Sequence, residues 1–304
     1  MSGGIARITA GILSYNRRES LRRTLDAVLA IPGLRVLVID NASTDGSAEM
    51  LKEEFSSELY PQLRVIQLEE NTGIAARNIF FREVVTDFLL TLDDDSWPRA
   101  MDDIDRLRET MIADPRIASV CAACIHPDTG VAETAGIERF ASAGDAARGW
   151  DVVNIAAGGS LLRMEAMRET AGYGEAFFWG REENDLAFQL LQRGWRVVYD
   201  PRAVVWHTMS PTGRNVYRRL SYVTRNSIWL LWKYFPLVVA LPMALLFTFR
   251  RLIAILRDPR RLAPVLRGTA GGFAGIAARR REGSRFTLRQ SWQLRGWFLK
   301  LLYE

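Results

Sequence analysis

Residues 7–40, RITAGILSYNRRESLRRTLDAVLAIPGLRVLVID, decide the fold. RITAGIL is rich in apolar and β-branched residues and predicts a strand, whereas ESLRRTLDAVLA has apolar residues at helical spacing. RVLVID then predicts a second strand. The alternation continues to residue 120, with strands at LRVIQL and FLLTL and helices at GSAEMLKEEF and IAARNIFFREVV. It predicts an α/β fold with a mostly parallel central sheet flanked by helices on both faces.

Polar residues follow three of the predicted strands. In sheets of this kind, ligands bind beyond the carboxyl ends of the strands. Because those ends lie at one edge of the sheet, we expect the polar side chains to line a single site. They are Ser14 and Asn16 after the first strand, Asp40 at the end of the second, and Asp93, Asp94 and Asp95 after the fourth.

The three consecutive carboxylates Asp93–Asp95 repel one another unless a cation lies between them. A solvated turn is one interpretation, because Asp is common in turns and Pro98 ends the run. A divalent-metal site is the other, since Mg²⁺ and Mn²⁺ prefer carboxylate oxygens and water as ligands. This stretch alone leaves both interpretations open.

A second group of acids lies in FFWGREENDLAF, residues 177–188. Glu182, Glu183 and Asp185 begin a predicted amphipathic helix, where acids stabilise the helix dipole. The aromatic residues that precede them can also raise a carboxylate's pKa towards that of a useful general base. Helix stabilisation and acid–base chemistry therefore remain alternative interpretations.

Three further residues have both functional and structural interpretations. Asp40 can accept hydrogen bonds from a pyrimidine base or a sugar hydroxyl, or it can cap a polar turn. Arg77, in NTGIAARN, can pair with a diphosphate or with Asp40, or lie on the surface. His207 ends the apolar segment AVVWH, where it can ligate a metal beside carboxylates or serve as a buried structural residue.

Charge is distributed unevenly along this chain of 304 residues, whose net charge is +5. Residues 211–304 contain 18 Lys and Arg against 3 Asp and Glu. Within them, Ile228–Phe249 has one charge, Lys233, and as a single helix of ~1.5 Å per residue it would just cross ~30 Å of hydrocarbon. The basic residues after it oppose the positive-inside tendency, so we expect an interfacial or re-entrant segment. A span and a soluble or oligomer contact are the alternatives.

Composition excludes several classes of protein. The chain has two cysteines, Cys121 and Cys124, which are too few for a disulfide framework and favour a reducing compartment. No cationic start or long apolar run precedes the first strand, so we expect a cytoplasmic location. The motifs of a phosphate loop, a dinucleotide fingerprint and a serine-hydrolase elbow are missing from the sequence. A nucleic-acid partner is not expected.

Seven motifs resemble one known family when taken in order. They are ILSYNRRESLRRTL, VLVIDNASTDGS, NTGIAARN, LDDD, GGSLLRMEAM, FFWGREENDLAFQLLQRGW and VVWH. Over roughly residues 5–235 the chain resembles the family 2 glycosyltransferases, especially the rhamnosyltransferase-like and galactofuranosyltransferase-like members. The resemblance implies a GT-A fold with a nucleotide-sugar-binding half (1–120) and an acceptor-binding, catalytic half (121–214). A helical tail (215–304) would then associate with a membrane or oligomerise.

The resemblance also implies roles for individual residues. Asp93 and Asp95 match the D-x-D pair, and His207 matches the histidine that completes the shell of a divalent metal, Mn²⁺ or Mg²⁺. Glu183 matches the catalytic base, but the family commonly has Asp at that position, so Glu182 and Asp185 remain alternatives. The implied nucleotide-sugar-binding residues are Ser14, Asn16, Asp40, Arg77, Asp93, Asp94, Gly159 and Trp179.

By this resemblance the chain is an inverting, metal-dependent glycosyltransferase. It would move a sugar from a nucleoside-diphosphate sugar to a hydroxyl of a glycan or lipid-linked saccharide, in cell-envelope polysaccharide synthesis. The protein would lie on the inner face of the cell membrane, and it could form a homo-oligomer. The alternatives are a non-catalytic glycan- or membrane-binding scaffold on the same fold, against which the intact carboxylates argue, and a sugar nucleotidyltransferase. The latter usually has glycines that SYNRRES lacks.

Overall fold

The computed structural model describes residues 7–132, 149–208 and 215–303. Its strands are β1 (Ile8–Ser14), β2 (Arg35–Asp40), β3 (Leu63–Gln67), β4 (Phe88–Asp93), β5 (Ser96–Pro98), β6 (Ile117–Ile125), β7 (Trp150–Asp151), β8 (Gly159–Arg163) and β9 (Arg196–His207). Its helices are α1 (Arg18–Leu29), α2 (Ser47–Glu54), α3 (Asn78–Glu83), α4 (Met101–Ala113), α5 (Met164–Arg168), α6 (Glu182–Gln192), α7 (Val216–Tyr234), α8 (Leu237–Arg257), α9 (Leu262–Ala274), α10 (Ile276–Glu282), α11 (Leu288–Gln293) and α12 (Arg295–Tyr303).

All of these strands belong to one sheet. Its order is β3-β2-β1-β4-β8-β6-β9-β5, and β7 pairs with β9. The first four strands in that order are parallel to one another, as are β6 and β9. β8 runs antiparallel between β4 and β6, and β5 runs antiparallel to β9. The predicted α/β sheet flanked by helices is confirmed, and its parallel part lies in the N-terminal half.

The strands are apolar along their whole length because both faces of the sheet are covered. On β2, Val38 shares a core with Leu25 of α1. The next residue, Ile39, belongs to the opposite core, which contains Phe80 of α3. Successive side chains of a strand point to opposite faces, so a strand between two helical layers needs apolar residues at every position.

Strand β9 joins two segments that the sequence predicts as separate extensions, WRVVYDP and AVVWH. It pairs in parallel with β6, and the register shifts so that Asp200 faces Ala122 while Val204 faces Ala123. This irregularity carries the strand past Pro201. As a result, one long strand ends at His207.

The C-terminal helices share a core with α6. The ring of Phe188 on α6 lies with its centroid 5.2 Å from that of Tyr234, 5.5 Å from Phe286 and 5.1 Å from Trp297. Trp297 is almost fully buried. The residues from α7 onward are therefore packed firmly onto α6.

The segment Ile228–Phe249 is divided between two helices. Helix α7 ends at Tyr234 and α8 begins at Leu237. Pro236 lacks a backbone N–H, and the residue before a proline avoids helical geometry, so the helix stops there. The part of the segment on α7 lies in the core shared with α6.

Among the described residues, α8 is the one helix long and apolar enough to cross a membrane by length and composition. Only 22% of the most apolar 18-residue stretch of this helix is buried. We call its outward side chains the exposed face of α8. They are Leu237, Val238, Leu241, Leu245, Leu246, Phe249, Leu252, Ile253 and Leu256.

Candidate active site

Asp93, Asp95 and His207 meet at the edge of the sheet where β4 and β9 end, and we call them the metal trio. Strand β5 pairs antiparallel with β9 so that Ser96 faces His207. The His207 Nε2 atom lies 3.0 Å from Asp95 Oδ1 and 3.8 Å from Asp93 Oδ2. One ligand atom from each residue lies within 4.8 Å of the others. Two carboxylates and an imidazole converging in this way fit a divalent ion such as Mn²⁺ or Mg²⁺.

Gly158 leaves space beside the metal trio, and the sequence analysis overlooked it. A Cβ at this position would lie 2.8 Å from Asp93 Oδ2 and 3.6 Å from the His207 ring. The neighbouring Gly159, predicted to bind the nucleotide sugar, is turned elsewhere, because its Cβ would lie 2.9 Å from Cys124 Sγ. Gly158 precedes β8, Gly159 is its first residue, and β8 pairs with β4. Two consecutive glycines at such a position indicate that other groups approach the backbone closely.

Two arginines balance the charge of the Asp93–Asp95 run. Arg17 Nη1 donates to Asp94 Oδ1 at 2.9 Å and to Asp95 Oδ2 at 3.1 Å. Buried Arg77 donates to Asp93 and to the Leu92 carbonyl. The pairing of Arg77 with Asp40, one of the predicted alternatives, is not the one observed. The carboxylates therefore form a buried charge network rather than a solvated turn.

Asp94 differs from its two neighbours because it does not belong to the metal trio. It is buried, and it accepts from the backbone N–H of Tyr15 as well as from Arg17. Burial raises the pKa of Asp94 to about 7, although the charge of Arg17 opposes the shift. Arg17 follows the first strand, so the sequence places it at the same edge of the sheet as Asp93–Asp95. Its position could therefore have predicted this ion pair.

Glu182 and Glu183 begin α6 and face the same edge of the sheet. The Ala157 N–H donates to Glu183 Oε1 at 3.0 Å, and Glu183 is half-buried. Burial raises the pKa of Glu183, and the negative charge of Asp93 raises it further. Burial and the charge of Glu183 raise the pKa of Glu182 to about 8. The positive charges of Arg77 and of Arg219, on the first turn of α7, oppose these shifts in pKa. Sequence reasoning missed Arg219.

Asp185 lies on the opposite side of α6 from Glu183 and contacts α7. Its Oδ1 accepts from Lys233 Nζ at 2.7 Å and from the Tyr234 hydroxyl at 2.8 Å, and its Oδ2 accepts from Gln189 at 3.0 Å. Asp185 is fully buried. The carboxylate that was an alternative base is thus occupied by an ion pair that joins α6 to α7.

The polar residues after β1 and β2 hold the edge loops together. Asp40 Oδ1 accepts from the Ser43 N–H at 3.1 Å, the turn arrangement anticipated as its structural interpretation. Asn16 Oδ1 accepts from the Thr44 N–H at 2.7 Å. Ser14 is buried at the end of β1, and its Oγ atom has no hydrogen-bond partner among the described residues. Asn41, a residue that sequence reasoning missed, donates to the Gly73 carbonyl at 3.0 Å.

The loop before α6 has an unusual backbone that α7 holds in place. Phe178 and Arg181 have φ angles of 58° and 73°, a region that residues other than glycine seldom adopt. Asn226 of α7 donates to the carbonyls of Phe177, Trp179 and Gly180 at 2.9, 3.2 and 2.6 Å. Trp179, predicted to contact the nucleotide sugar, is half-buried in this loop. Asn226 fixes the approach to Glu182 and Glu183.

Comparison with known proteins identifies related sequences. The family model described as Glycosyl transferase family 2 matches residues 9–170. A pre-mycofactocin glycosyltransferase from Mycobacterium tuberculosis (strain CDC 1551 / Oshkosh) is 28% identical over 211 residues. The aligned region covers 66% of this chain and 42% of that protein, so the chain spans less than half the length of the curated relatives it matches.

Two solved structures share the fold. One is the mannosyltransferase PcManGT from Pyrobaculum calidifontis in complex with GDP-Man and Mn²⁺, with a TM-score of 0.58 and 16% identity. The superposition covers 97% of this chain and 85% of that one. The other is GalNAc-T7 with UDP, GalNAc and Mn²⁺, with a TM-score of 0.58, 17% identity, and coverage of 75% and 48%. The predicted GT-A fold is confirmed.

Proposed function

This chain belongs to glycosyl transferase family 2, and on that premise we propose that it transfers a sugar from a nucleoside-diphosphate sugar to an acceptor hydroxyl. The observation that carries the proposal is the proximity of a base candidate to the metal trio. Ala157 donates to Glu183 Oε1 at 3.0 Å, and the next residue, Gly158, lies against Asp93 and His207 of the trio. A donor diphosphate at the trio and an acceptor hydroxyl at Glu183 would then share one reaction volume.

The donor's diphosphate belongs at the metal trio in this proposal. Asp93, Asp95 and His207 would hold Mn²⁺ or Mg²⁺, and the bound ion would neutralise the departing diphosphate. The two solved relatives named above contain Mn²⁺ with a guanosine or uridine nucleotide, which supports the same arrangement here. Arg77 and Arg17 hold the carboxylates in position through ion pairs. The edge loops with Ser14, Asn16 and Asp40 would form the walls around the nucleotide.

Glu183 is the proposed catalytic base. Its Oε1 is held by the Ala157 N–H, which orients the carboxylate and leaves Oε2 for the acceptor. The acceptor hydroxyl would lose its proton to Glu183 while its oxygen bonds to the anomeric carbon. The bond from that carbon to the diphosphate oxygen breaks at the opposite face, so the configuration inverts. The raised pKa of Glu183 makes it a stronger base than an exposed glutamate.

The contacts of the other two acids favour supporting roles. Asp185 is saturated by Lys233, Tyr234 and Gln189, so accepting a further proton would break a buried ion pair. Glu182 has a pKa of about 8 and is protonated at neutral pH, a form that cannot accept the acceptor's proton. Its Oε2 has no hydrogen-bond partner among the described residues. The proposal therefore assigns the base to Glu183.

The acceptor is proposed to be a glycan or lipid-linked saccharide used in cell-envelope polysaccharide synthesis. Support comes from the exposed face of α8 and from the cationic surplus of residues 211–304, which together suit the surface of an anionic membrane. A cytoplasmic protein held at the inner face of the cell membrane has both properties. The M. tuberculosis relative is itself a glycosyltransferase by name.

The test of this function is release of nucleotide from a panel of nucleoside-diphosphate sugars, followed with Mn²⁺ and with EDTA. We expect slow release from at least one donor, stimulated by Mn²⁺, and faster release when a hydroxyl acceptor is added. A scaffold would release nothing from any donor. A nucleotidyltransferase would instead release diphosphate from a nucleoside triphosphate when given a sugar phosphate.

A further inference from the structure

A cavity of about 540 Å³ lies between α7 and α9, outside the metal trio and the acid pair. Tyr217, Arg218, Tyr222 and Arg225 line it from α7, and Arg267 lines it from α9. Its volume falls in the range of ~300–1,000 Å³ that small-molecule sites occupy. The cavity is therefore large enough for a phosphate or diphosphate group with part of its substituent.

Glycines of α9 set the width of this cavity. A Cβ on Gly268 would lie 2.5 Å from the Ser221 carbonyl oxygen, and one on Gly272 would lie 2.7 Å from Ile228 Cδ1. The two helices thus approach as closely as their backbones permit. Such close packing holds the backbones that carry the arginines of both helices at a fixed separation.

The lining is strongly cationic. Arg218, Arg225 and Arg267 form no ion pair with any carboxylate in the described parts of the chain. The guanidinium of Arg225 lies over the Tyr222 ring, 5.0 Å from its centroid, and that of Arg218 lies 5.8 Å from the same centroid. Burial and the charge of Arg279 lower the pKa of Arg225, as expected where positive charge is in excess. The guanidinium of Arg218, which lies over aromatic faces, suits the oxygens of a phosphate, and Arg225 adds positive charge beside it.

Two of the arginines that line the cavity also contact the segment that leads into α6. Arg225 donates to the carbonyls of Ala176 and Phe177 in this segment. Arg218 lies over the Phe178 ring, 5.7 Å from its centroid. The residue after it, Arg219, acts electrostatically on Glu183. A ligand anchored in the cavity would therefore lie beside the residues that hold the proposed base.

We propose that this cavity binds a phosphate or diphosphate group carried by the acceptor and so holds the acceptor's sugar hydroxyl near Glu183. The inference rests on the proposed glycosyl transfer and specifies its acceptor as an anionic, phosphate-bearing molecule. Soluble phosphates and lipid headgroups present the same oxygens, and the experiment below separates these two sources.

The test compares two variants of the full chain, each lacking two positive charges. Arg218→Gln with Arg267→Gln removes cavity arginines, whereas Arg281→Gln with Arg289→Gln removes exposed arginines outside the cavity lining. Binding of inorganic pyrophosphate is measured by calorimetry in EDTA, and binding of phosphatidylglycerol vesicles by sedimentation. We expect the cavity variant to lose ~10-fold or more in affinity for one of these probes, while the control stays within ~2-fold of wild type. Arg267→Gln alone, an exposed position, serves if the double variant does not fold.

The outcomes identify the source of the phosphate. Selective loss of pyrophosphate binding supports a discrete diphosphate, and selective loss of vesicle binding without pyrophosphate binding supports a lipid headgroup. Equal binding by the cavity and control variants overturns the inference. Nucleotide release from the donor is followed in the same preparations, because the donor site does not contain these arginines. Persistent release with equal anion binding by the two variants would refute the cavity and leave the glycosyl transfer standing. Absence of release in every protein, with anion binding lost only in the cavity variant, would refute the transfer and the acceptor role but leave an anion site.

Discussion

Glu182 and Glu183 are adjacent in the chain but differ in what their carboxylates contact. Glu183 is half-buried and held by a backbone N–H, whereas Glu182 is buried with an Oε2 atom that has no partner in the described residues. Asp185, two residues on, is turned roughly 200° around the helix from Glu183, at ~100° per residue. That rotation is why Glu183, the proposed base, and Asp185, in a structural ion pair, have different surroundings within one short acidic motif.

Replacing Glu183 with Gln should lower turnover by roughly 10²–10⁴-fold, which is the usual contribution of a positioned general base. The amide keeps the size of the side chain and still accepts from Ala157, so the affinity for the donor nucleotide should change little. Transfer rate and nucleotide affinity are measured together for this variant and for Asp185→Asn. If Glu183→Gln turns over normally while Asp185→Asn binds the donor but does not transfer, the base has been assigned to the wrong acid.

Replacing Glu182 with Gln should change how stability depends on pH. The pKa of Glu182 rises from 4.5 to about 8 on folding, so between these values the folded protein retains a proton that the unfolded chain releases. The free energy of unfolding of the wild type therefore falls as pH rises through this window, by at most about 1.4 kcal/mol per pH unit. The variant lacks this titration, and its Tm should exceed that of the wild type increasingly from pH 5 to pH 8. Parallel Tm curves over this range would show that Glu182 ionises normally.

At the scale of elements, the junction of α6 with α7 determines the shape of the site. Asn226 holds three carbonyls of the loop before α6, and Lys233 and Tyr234 hold Asp185 on α6 itself. Helix α7 lies far from the sheet in sequence, yet it fixes a loop whose φ angles at Phe178 and Arg181 are positive. The proposed base and its acidic neighbours thus depend on a helix of the basic tail for their position.

Asn226→Ala should lower kcat by ~10–100-fold with a smaller effect on donor affinity, since the loop would relax from its strained conformation. The free energy of unfolding should fall by about 1–3 kcal/mol, because buried carbonyls lose their donor. Thr224→Val is the matched control, since Thr224 is buried on the same helix and its Oγ1 has no partner in the described residues. Equal kinetics for the two variants would mean that the loop keeps its shape without Asn226.

How far the sequence predicts these elements depends on the range of the interactions that form them. The periodicity of residues 7–93 is local, and it correctly predicts β1 to β4 and the helices between them. The metal trio depends on the pairing of Ser96 with His207, a contact between residues that are distant in the chain. Local patterns do not predict that contact, so the trio was expected only from the resemblance to the family. Pro236 is visible in the sequence, but the apolar runs on both sides of it do not show whether the segment forms one helix or two. Asn226 carries no local pattern, so its contact with the loop was not predicted.

At the scale of the whole molecule, the tail is both packed and exposed. Phe286 and Trp297 complete the core around Phe188, so removal of the tail would uncover that core. In the described structure, by contrast, the apolar side chains of the exposed face of α8 are 41–83% exposed. A tail of this kind can dock on a membrane only if it remains folded on α6.

Membrane binding is therefore tested with surface substitutions. Leu245→Gln with Phe249→Gln should weaken binding to phosphatidylglycerol vesicles by ~10-fold or more, because two side chains of 56% and 59% exposure would otherwise enter the interface. Leu59→Gln with Leu288→Gln, at 63% and 61% exposure, is the matched control outside α8. High salt should weaken vesicle binding of all variants, because it screens the attraction between the basic tail and the anionic lipids. Equal partition of the two variants would exclude the exposed face of α8 as the membrane contact.

The measurement that tests the central claim most directly is calorimetric binding of UDP, GDP and dTDP, each with Mn²⁺ and with EDTA, to the wild type and to Asp95→Asn. The asparagine keeps its size beside Arg17, which also retains its ion pair with Asp94. Asp87→Asn, at the opposite end of β4, is the control, since Asp87 pairs with Arg7 on the surface. The account predicts that the wild type and Asp87→Asn bind one of the nucleotides at least ~10-fold more tightly with Mn²⁺, and that Asp95→Asn loses this gain. Nucleotide binding that is indifferent to Mn²⁺, or an unchanged gain in Asp95→Asn, would contradict the metal trio and the mechanism built on it.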